Sequence, residues 1–284
     1  MSIQPGTTQG RTGLAALLRD PKRALVAFDY DGTLAPIVDD PAMALPYPAV
    51  IDALVALSSR VGLVAVVTGR PAQVAVDLAG FGSLSGVERL VVAGHYGMER
   101  WDGASSRLRT VEAPAGLERA RSKLPGLLAS LGLADADVED KGLSVAVHVR
   151  RLAEPAGAFA RLNGPLRDLA AEAGLVTEPG RLVVELRPAG MDKGLAVHSL
   201  VDEIGARTVV FTGDDLGDLA AFDEVDRLRS DGLAGLLVCS ASDEVSVLAR
   251  RADLVVDGPS GVAAFVSDLV EALPSQIANG RPHG

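Results

Sequence analysis

Asp29-Tyr30-Asp31-Gly32-Thr33-Leu34 follows directly on Ala24-Leu25-Val26-Ala27-Phe28, five apolar residues without a break. A run that is apolar at every position reads as a strand covered on both faces, as in a parallel sheet held between helices. In such sheets ligands bind in the crevice beyond the carboxyl ends of the strands. Asp29 and Asp31 therefore stand where a substrate binds. The pattern recurs twice: Leu63-Val64-Ala65-Val66-Val67 runs into Thr68-Gly69-Arg70, and Thr208-Val209-Val210-Phe211-Thr212 runs into Gly213-Asp214-Asp215. Between these lies Met191-Asp192-Lys193-Gly194.

Outward from these motifs the chain alternates strand and helix. After the first strand a helix is expected through Val50, Ile51, Leu54, Val55 and Leu57, and another opens at Pro71. Leu90-Val91-Val92-Ala93 is a third strand; after Lys193 a helix through Leu195, Val197, Leu200 and Val201 restores the rhythm, with further strands near Leu236 to Cys239 and Asp253 to Val256. Residues 111–187 read differently. Helical stretches Leu117 to Leu131 and Ala156 to Ala173 each lead to a strand with period-two alternation, at Ser144 to Arg150 and Leu182 to Arg187. Val145, Val147 and Val149 oppose Ser144, Ala146, His148 and Arg150, and Leu182, Val184 and Leu186 oppose Val183, Glu185 and Arg187, giving each strand an apolar back and a polar front. The expected organisation is α/β: a Rossmann-like parallel-sheet core at 23–110 and 188–272, an inserted α+β cap at 111–187, an N-terminal tail at 1–22 with at most a short helix at Leu14 to Leu18, and a C-terminal tail at 273–284.

Acidic residues outnumber basic ones 37 to 27 with no Lys/Arg cluster, which argues against nucleic acid or an anionic membrane surface as partner. No apolar stretch approaches the ~18 residues that span a bilayer, and Met1 to Gly10 lacks an apolar leader segment, so a soluble cytoplasmic protein is expected. The single cysteine, Cys239, forms no internal disulfide and reads as core filler, as Trp101 reads as packing. His198 reads as helix surface or core edge, and His283 lies in the tail.

The four motifs, in this order, resemble the haloacid dehalogenase-type phosphatases. The resemblance implies that Asp29 is a nucleophile forming an aspartyl-phosphate and that Asp31 is the acid and then the base. It implies Mg²⁺ held by the Asp29 carboxylate, the Asp31 backbone carbonyl and Asp214, with Asp215 or Asp218 in support. Thr68 and Lys193 then bind the transferring phosphoryl group. Lys193 is one of only four lysines against 23 arginines, which sets it apart from surface decoration.

Further motifs resemble one branch, the trehalose-6-phosphate phosphatases: Gly94-His95-Tyr96-Gly97-Met98-Glu99, Lys141 through His148-Val149-Arg150, Glu185-Leu186-Arg187-Pro188, and Gly213 through Phe222. This branch implies trehalose 6-phosphate as substrate, with Gly69, Arg70, His95, Glu99, Arg100, Lys141, His148, Arg150 and Glu185 as substrate-binding residues. It leaves room for functional pairing with a trehalose-phosphate synthase and leaves the oligomeric state open. The chain departs from the branch where Tyr96 stands in place of the usual His before Gly97, Val149 in place of Tyr, and Gly217 and Leu219 in place of Thr and Glu. Two other readings keep the fold: a phosphatase of sucrose 6-phosphate, mannosyl-3-phosphoglycerate or a hexose phosphate, and a non-catalytic phosphosugar-binding module.

Overall fold

The computed structural model describes residues 3–180, 182–190, 192–241 and 246–274. Met191 of the third motif and residues 275–284 of the expected C-terminal tail, with His283, lie outside them. The chain divides into two compact units, Met1–Arg109 with Asp192–Gly284, and Thr110–Met191 inserted between these halves in sequence. The first half of the outer unit runs α1 (Thr8–Arg19), β1 (Ala24–Phe28), α2 (Pro48–Ser58), β2 (Leu63–Val67), α3 (Ala72–Ala79), β3 (Leu90–Gly94), β4 (Glu99–Asp102) and β5 (Arg107–Thr110). The insertion adds α4 (Ala115–Ser130), β6 (Asp137–Asp140), β7 (Val145–His148), α5 (Pro155–Ala173), β8 (Leu175–Gly180) and β9 (Val183–Pro188). The second half supplies α6 (Lys193–Ile204), β10 (Thr208–Gly213), α7 (Leu219–Ser230), β11 (Ala234–Ala241), α8 (Ser246–Arg251), β12 (Leu254–Asp257) and α9 (Gly258–Ala272).

The outer sheet has the order β12-β11-β10-β1-β2-β3-β4-β5, parallel from β12 to β3, with β4 antiparallel to β3. The continuous apolar runs have the expected cause: Val26 and Phe28 pack into one hydrophobic cluster with side chains of α2, α3 and α9, and Leu25 and Ala27 into another with those of α6 and α7. Because β10, β1 and β2 are neighbours in register, with Phe28 beside both Thr212 and Val66, the residues that follow them leave the sheet side by side. That adjacency builds the site. Among the described residues no helix is long and apolar enough to cross a membrane.

The N-terminal segment departs from expectation. It is no tail: α1 starts at Thr8, and Leu17 is fully buried in the core. The Thr7 hydroxyl accepts from Gly10 N at 2.9 Å and donates to the Asp253 carboxylate, which also takes Arg229 and, at 2.8 Å, the Leu237 N–H. Gly13 lies so close to β11 that a Cβ there would stand 1.9 Å from the Gly235 carbonyl oxygen. Helix propensity gave little sign of this, since the anchoring comes from residues more than 200 positions away.

In the inserted unit the sheet order is β6-β7-β9-β8, antiparallel throughout. Val145, Val147, Val184 and Leu186 pack against Leu117, Leu124, Leu162 and Leu166 of α4 and α5, as the alternation predicts. The other face carries Glu139, Ala146, Glu185 and Glu178 in one row across the four strands. Strand β6 has no apolar alternation and all four of its residues are exposed; backbone pairing to β7 alone makes it a strand.

Docking of α1 makes Gly13→Ala diagnostic. In a free helix that change stabilises by about 1 kcal/mol; against Gly235 it forces overpacking that costs about 1–3 kcal/mol. Urea unfolding is expected to show net destabilisation, and a stabilised variant would mean that α1 is not seated on β11.

Candidate active site

Asp29, Asp214 and Lys193 gather beyond the ends of β1 and β10, and Thr68 follows the neighbouring strand β2. Asp29 and Asp214 follow β1 and β10 and are 4% and 2% exposed; Thr68 follows β2 and is also buried. Lys193 begins α6, whose N-cap is Asp192, accepting from Leu195 N at 2.8 Å. The buried Lys193 Nζ donates to Asp29 Oδ1 at 2.6 Å and to Asp218 Oδ1 at 2.7 Å. Asp218 Oδ2 accepts the N–H groups of Asp214 at 2.9 Å and Asp215 at 3.3 Å. Gly32 turns the chain over this cluster at φ 73°, and a Cβ there would lie 2.0 Å from Asp214 Oδ2. The Ser240 hydroxyl, donating to the Gly32 carbonyl at 2.7 Å, fastens that turn to β11.

The electrostatics are those of a site short of positive charge. Burial, reinforced by Asp218, Asp214 and Asp215 against the pull of Lys193, raises the Asp29 carboxyl well above its usual range. Burial also raises Asp218, and with Asp218 and Asp215 it pushes Asp214 up to about 8. Burial works against the Lys193 charge, yet Asp218 and Asp29 hold its pKa well above the ordinary lysine value. One ammonium faces three buried carboxylates.

Oxygens of Asp29, Asp214 and Asp218 lie within 4.8 Å of one another, a group that fits a metal ion. Both Asp218 oxygens are already engaged, whereas Asp214 Oδ1 is buried without a hydrogen-bond partner. An all-oxygen, anionic donor set with one orphaned carboxylate oxygen suits a hard divalent cation. Asp215, left level with Asp218 in the sequence, is the acid that stays out: it is exposed, and its carboxylate caps the single turn Leu216–Asp218 through Gly217 N at 2.8 Å.

Asp31 points elsewhere. Arg70 grips it with a two-pronged fork, Nε to Oδ2 and an Nη to Oδ1, both at 2.7 Å. The same guanidinium donates to Pro41 O at 2.9 Å and stacks over the Tyr30 ring at 5.3 Å. The structure thus gives Arg70, expected as a substrate ligand, a positioning task on Asp31.

The loop after β3 and the start of β4 carry three expected substrate residues, which the structure separates. His95 is buried and its N–H donates to Arg70 O at 2.9 Å. Glu99 Oε2 accepts Ala72 N at 2.7 Å and so caps α3. Arg100 forks onto Glu203, with one Nη–Oε1 distance of 2.9 Å, near the end of α6 opposite Lys193. Ten residues at 1.5 Å each put that contact about 15 Å along the helix from Lys193. Strand alternation sends Arg100 and Glu99 to opposite sides, which sequence proximity to the loop had hidden.

In the inserted unit Lys141 Nζ meets Glu185 Oε2 at 2.8 Å, and the buried Glu185 keeps Oε1 without a partner. His148 is 2.8 Å from Glu139, a residue the sequence reading missed although it sits two positions before Lys141. Glu178 faces Glu185 across the strands, its charge met by Arg187 at 2.7 Å. Arg150 is half-buried at the turn after β7.

A haloacid dehalogenase-like hydrolase from Bacteroides thetaiotaomicron superposes with a TM-score of 0.60 over 86% of this chain and 98% of its own, at 14% identity. The fold is of that class. The trehalose-phosphatase family model matches residues 27–257. Trehalose-phosphate phosphatase of Mycobacterium avium (strain 104) is 32% identical over 280 residues, 96% of this chain and 68% of that protein. The C-terminal domain of Candida albicans trehalose-6-phosphate phosphatase superposes with a TM-score of 0.75 over 96% of this chain and 99% of its own, at 20% identity. The chain belongs to the trehalose-phosphatase family and is a phosphatase.

The charge deficit predicts how Asp214→Asn behaves. Removing one crowded carboxylate should raise the thermal midpoint of chelator-treated protein. Saturating Mg²⁺, worth about 2.7 kcal/mol at a hundredfold excess over Kd, should stabilise the wild type and leave the variant unmoved. Equal Mg²⁺ shifts in both proteins would remove Asp214 from the cation site.

Proposed function

We propose that this chain is a Mg²⁺-dependent phosphomonoesterase that converts trehalose 6-phosphate to trehalose and phosphate through an aspartyl-phosphate on Asp29. The observation that carries the reading is the buried Asp29 carboxylate held by Lys193 at 2.6 Å inside a cluster one cation short of balance. Asp29 attacks phosphorus, a bond forms to its carboxylate oxygen, and the bond from phosphorus to the sugar oxygen breaks. Asp31 gives that departing oxygen a proton and later takes one from the water that releases phosphate. Each Asp31 oxygen accepts one N–H of the Arg70 fork and keeps a second lone pair with which to take or give a proton.

Thr68 donates its hydroxyl to the phosphoryl group, the Gly69 backbone borders it, and Lys193 supplies fixed positive charge. Mg²⁺ would be held by Asp29 and Asp214, with the Asp31 carbonyl, while Asp218 steadies these groups through Lys193 and the Asp214 N–H. Bound there, the cation would supply positive charge that screens the anionic nucleophile from the anionic substrate. His95 and Glu99 fix the loop around Thr68 to Arg70; Arg100, taken by Glu203, is given no role. The polar sheet face of the inserted unit, through Lys141, His148, Arg150 and Glu185, reads the sugar hydroxyls. Functional pairing with a trehalose-phosphate synthase would supply the substrate.

Phosphate release from trehalose 6-phosphate should exceed that from sucrose 6-phosphate, mannosyl-3-phosphoglycerate and glucose 6-phosphate by about a hundredfold or more in kcat/KM. It should vanish in Asp29→Asn. Similar slow rates on all four would retain a phosphatase and discard the substrate. Glu185→Ala should cost about tenfold or more on trehalose 6-phosphate and leave p-nitrophenyl phosphate within about twofold; equal losses would contradict sugar recognition by Glu185.

A further inference from the structure

Ser240 is fully buried near the carboxyl end of β11, and its hydroxyl donates to the Gly32 carbonyl at 2.7 Å across 208 positions of sequence. Strand register explains the reach. Cys239 is paired with Gly213 on β10, so Ser240 stands level with Asp214 beside it. The Asp214 carboxylate meets the same turn, since a Cβ on Gly32 would lie 2.0 Å from its Oδ2. Hydroxyl and carboxylate thus hold one peptide turn between them. Within the turn the Tyr30 carbonyl accepts Leu34 N at 2.8 Å and Ala35 N at 3.0 Å, and Gly32 N donates to Ala35 O at 2.8 Å. In a trans peptide the carbonyl across from that N–H, which is the Asp31 carbonyl, faces away from Ala35. These bonds shape the turn from within; the Ser240 bond fixes it against the strand beside Asp214.

We infer that Ser240 is a positioning residue for the cation site, its hydroxyl setting the spacing between the Asp31 carbonyl and the Asp214 carboxylate. The inference rests on the phosphatase reading above and adds a residue that itself touches neither cation nor substrate. Mg²⁺ demands near-octahedral oxygen donors at about 2.0–2.1 Å, so a donor displaced by a fraction of an ångström binds it less well. Groups that orient a metal's ligands are worth about 10–100-fold in affinity, and one neutral hydrogen bond behind a backbone turn belongs at the low end of that range. A serine hydroxyl suits the task because it donates without adding charge to a cluster whose balance is already uneven. Its loss would also take a donor from a buried carbonyl, which favours a shift of the turn toward another partner.

The test is calorimetric titration of Mg²⁺ into chelator-treated protein, with thermal midpoints of the metal-free proteins measured alongside. Ser240→Ala removes one oxygen. Its control is Ser58→Ala, because Ser58 is also buried and gives its hydroxyl to backbone carbonyls, those of Gly86 and, at 3.0 Å, Val55, at the end of α2 that leads into the start of β2. Both variants are expected to show a comparable fall in midpoint. Mg²⁺ Kd is expected to rise about five- to tenfold in Ser240→Ala and to stay within about twofold of wild type in Ser58→Ala. An unchanged Kd in Ser240→Ala overturns the proposal and leaves the phosphatase reading intact. An equal rise in both variants also overturns it, since lost stability would then account for the weaker binding. Wild type that binds no Mg²⁺ overturns the proposal together with the cation part of that reading. Trehalose 6-phosphate enters none of these titrations, so a wrong substrate would leave their outcome unchanged.

Discussion

Lys193 Nζ, buried between Asp29 and Asp218 at 2.6 and 2.7 Å, is the contact on which the rest of the site depends. A buried ammonium is tolerated only where carboxylates surround it, and buried carboxylates only where something answers their charge. Here the count is uneven. Asp214 adds a third acid, and burial and its neighbours push its pKa up to about 8. The protein is folded around a deficit of positive charge, and a divalent cation and a phosphoryl group are ligands that such a cluster can accommodate together.

That constraint explains features that would otherwise look unrelated. Asp218 is fully buried because it has two tasks, holding Lys193 with one oxygen and the Asp214 and Asp215 N–H groups with the other. Gly32 is required where a side chain would strike the Asp214 carboxylate, and Ser240 pins the resulting turn from β11. The parallel order β10-β1-β2 supplies the framework, because only adjacent strands in register deliver Asp29, Thr68 and Asp214 to one edge. Arg70 performs a second balancing act outside this cluster, neutralising Asp31 while tying it to Tyr30 and Pro41.

The parallel core could be read from the sequence because strands buried on both faces leave an uninterrupted apolar signature, and the inserted sheet because one buried face leaves an alternating one. Asp29, Thr68, Lys193 and Asp214 were legible for the same reason: each lies just past, or opens, an element whose period is plain. What escaped was decided by contacts distant in sequence. Asp215 and Asp218 follow the same strand, and only the capped turn Leu216–Asp218 turns one out and the other in. Arg100 sits beside a promising loop, but its partner, Glu203, is 103 residues away on a helix face that no local pattern announces. The seating of α1 depends on Asp253 and Gly235, and β6 has no side-chain signature of its own.

The central claim is that the Lys193-held carboxylate of Asp29 is the atom that receives the phosphoryl group. The most direct measurement is acid quenching of the enzyme during turnover of ³²P-labelled trehalose 6-phosphate with Mg²⁺, followed by borohydride reduction and peptide mapping. The account predicts transient label that reduces to homoserine at position 29 alone. Label at another residue, or phosphate released in a burst-free reaction with no covalent species trapped at any time, would contradict it.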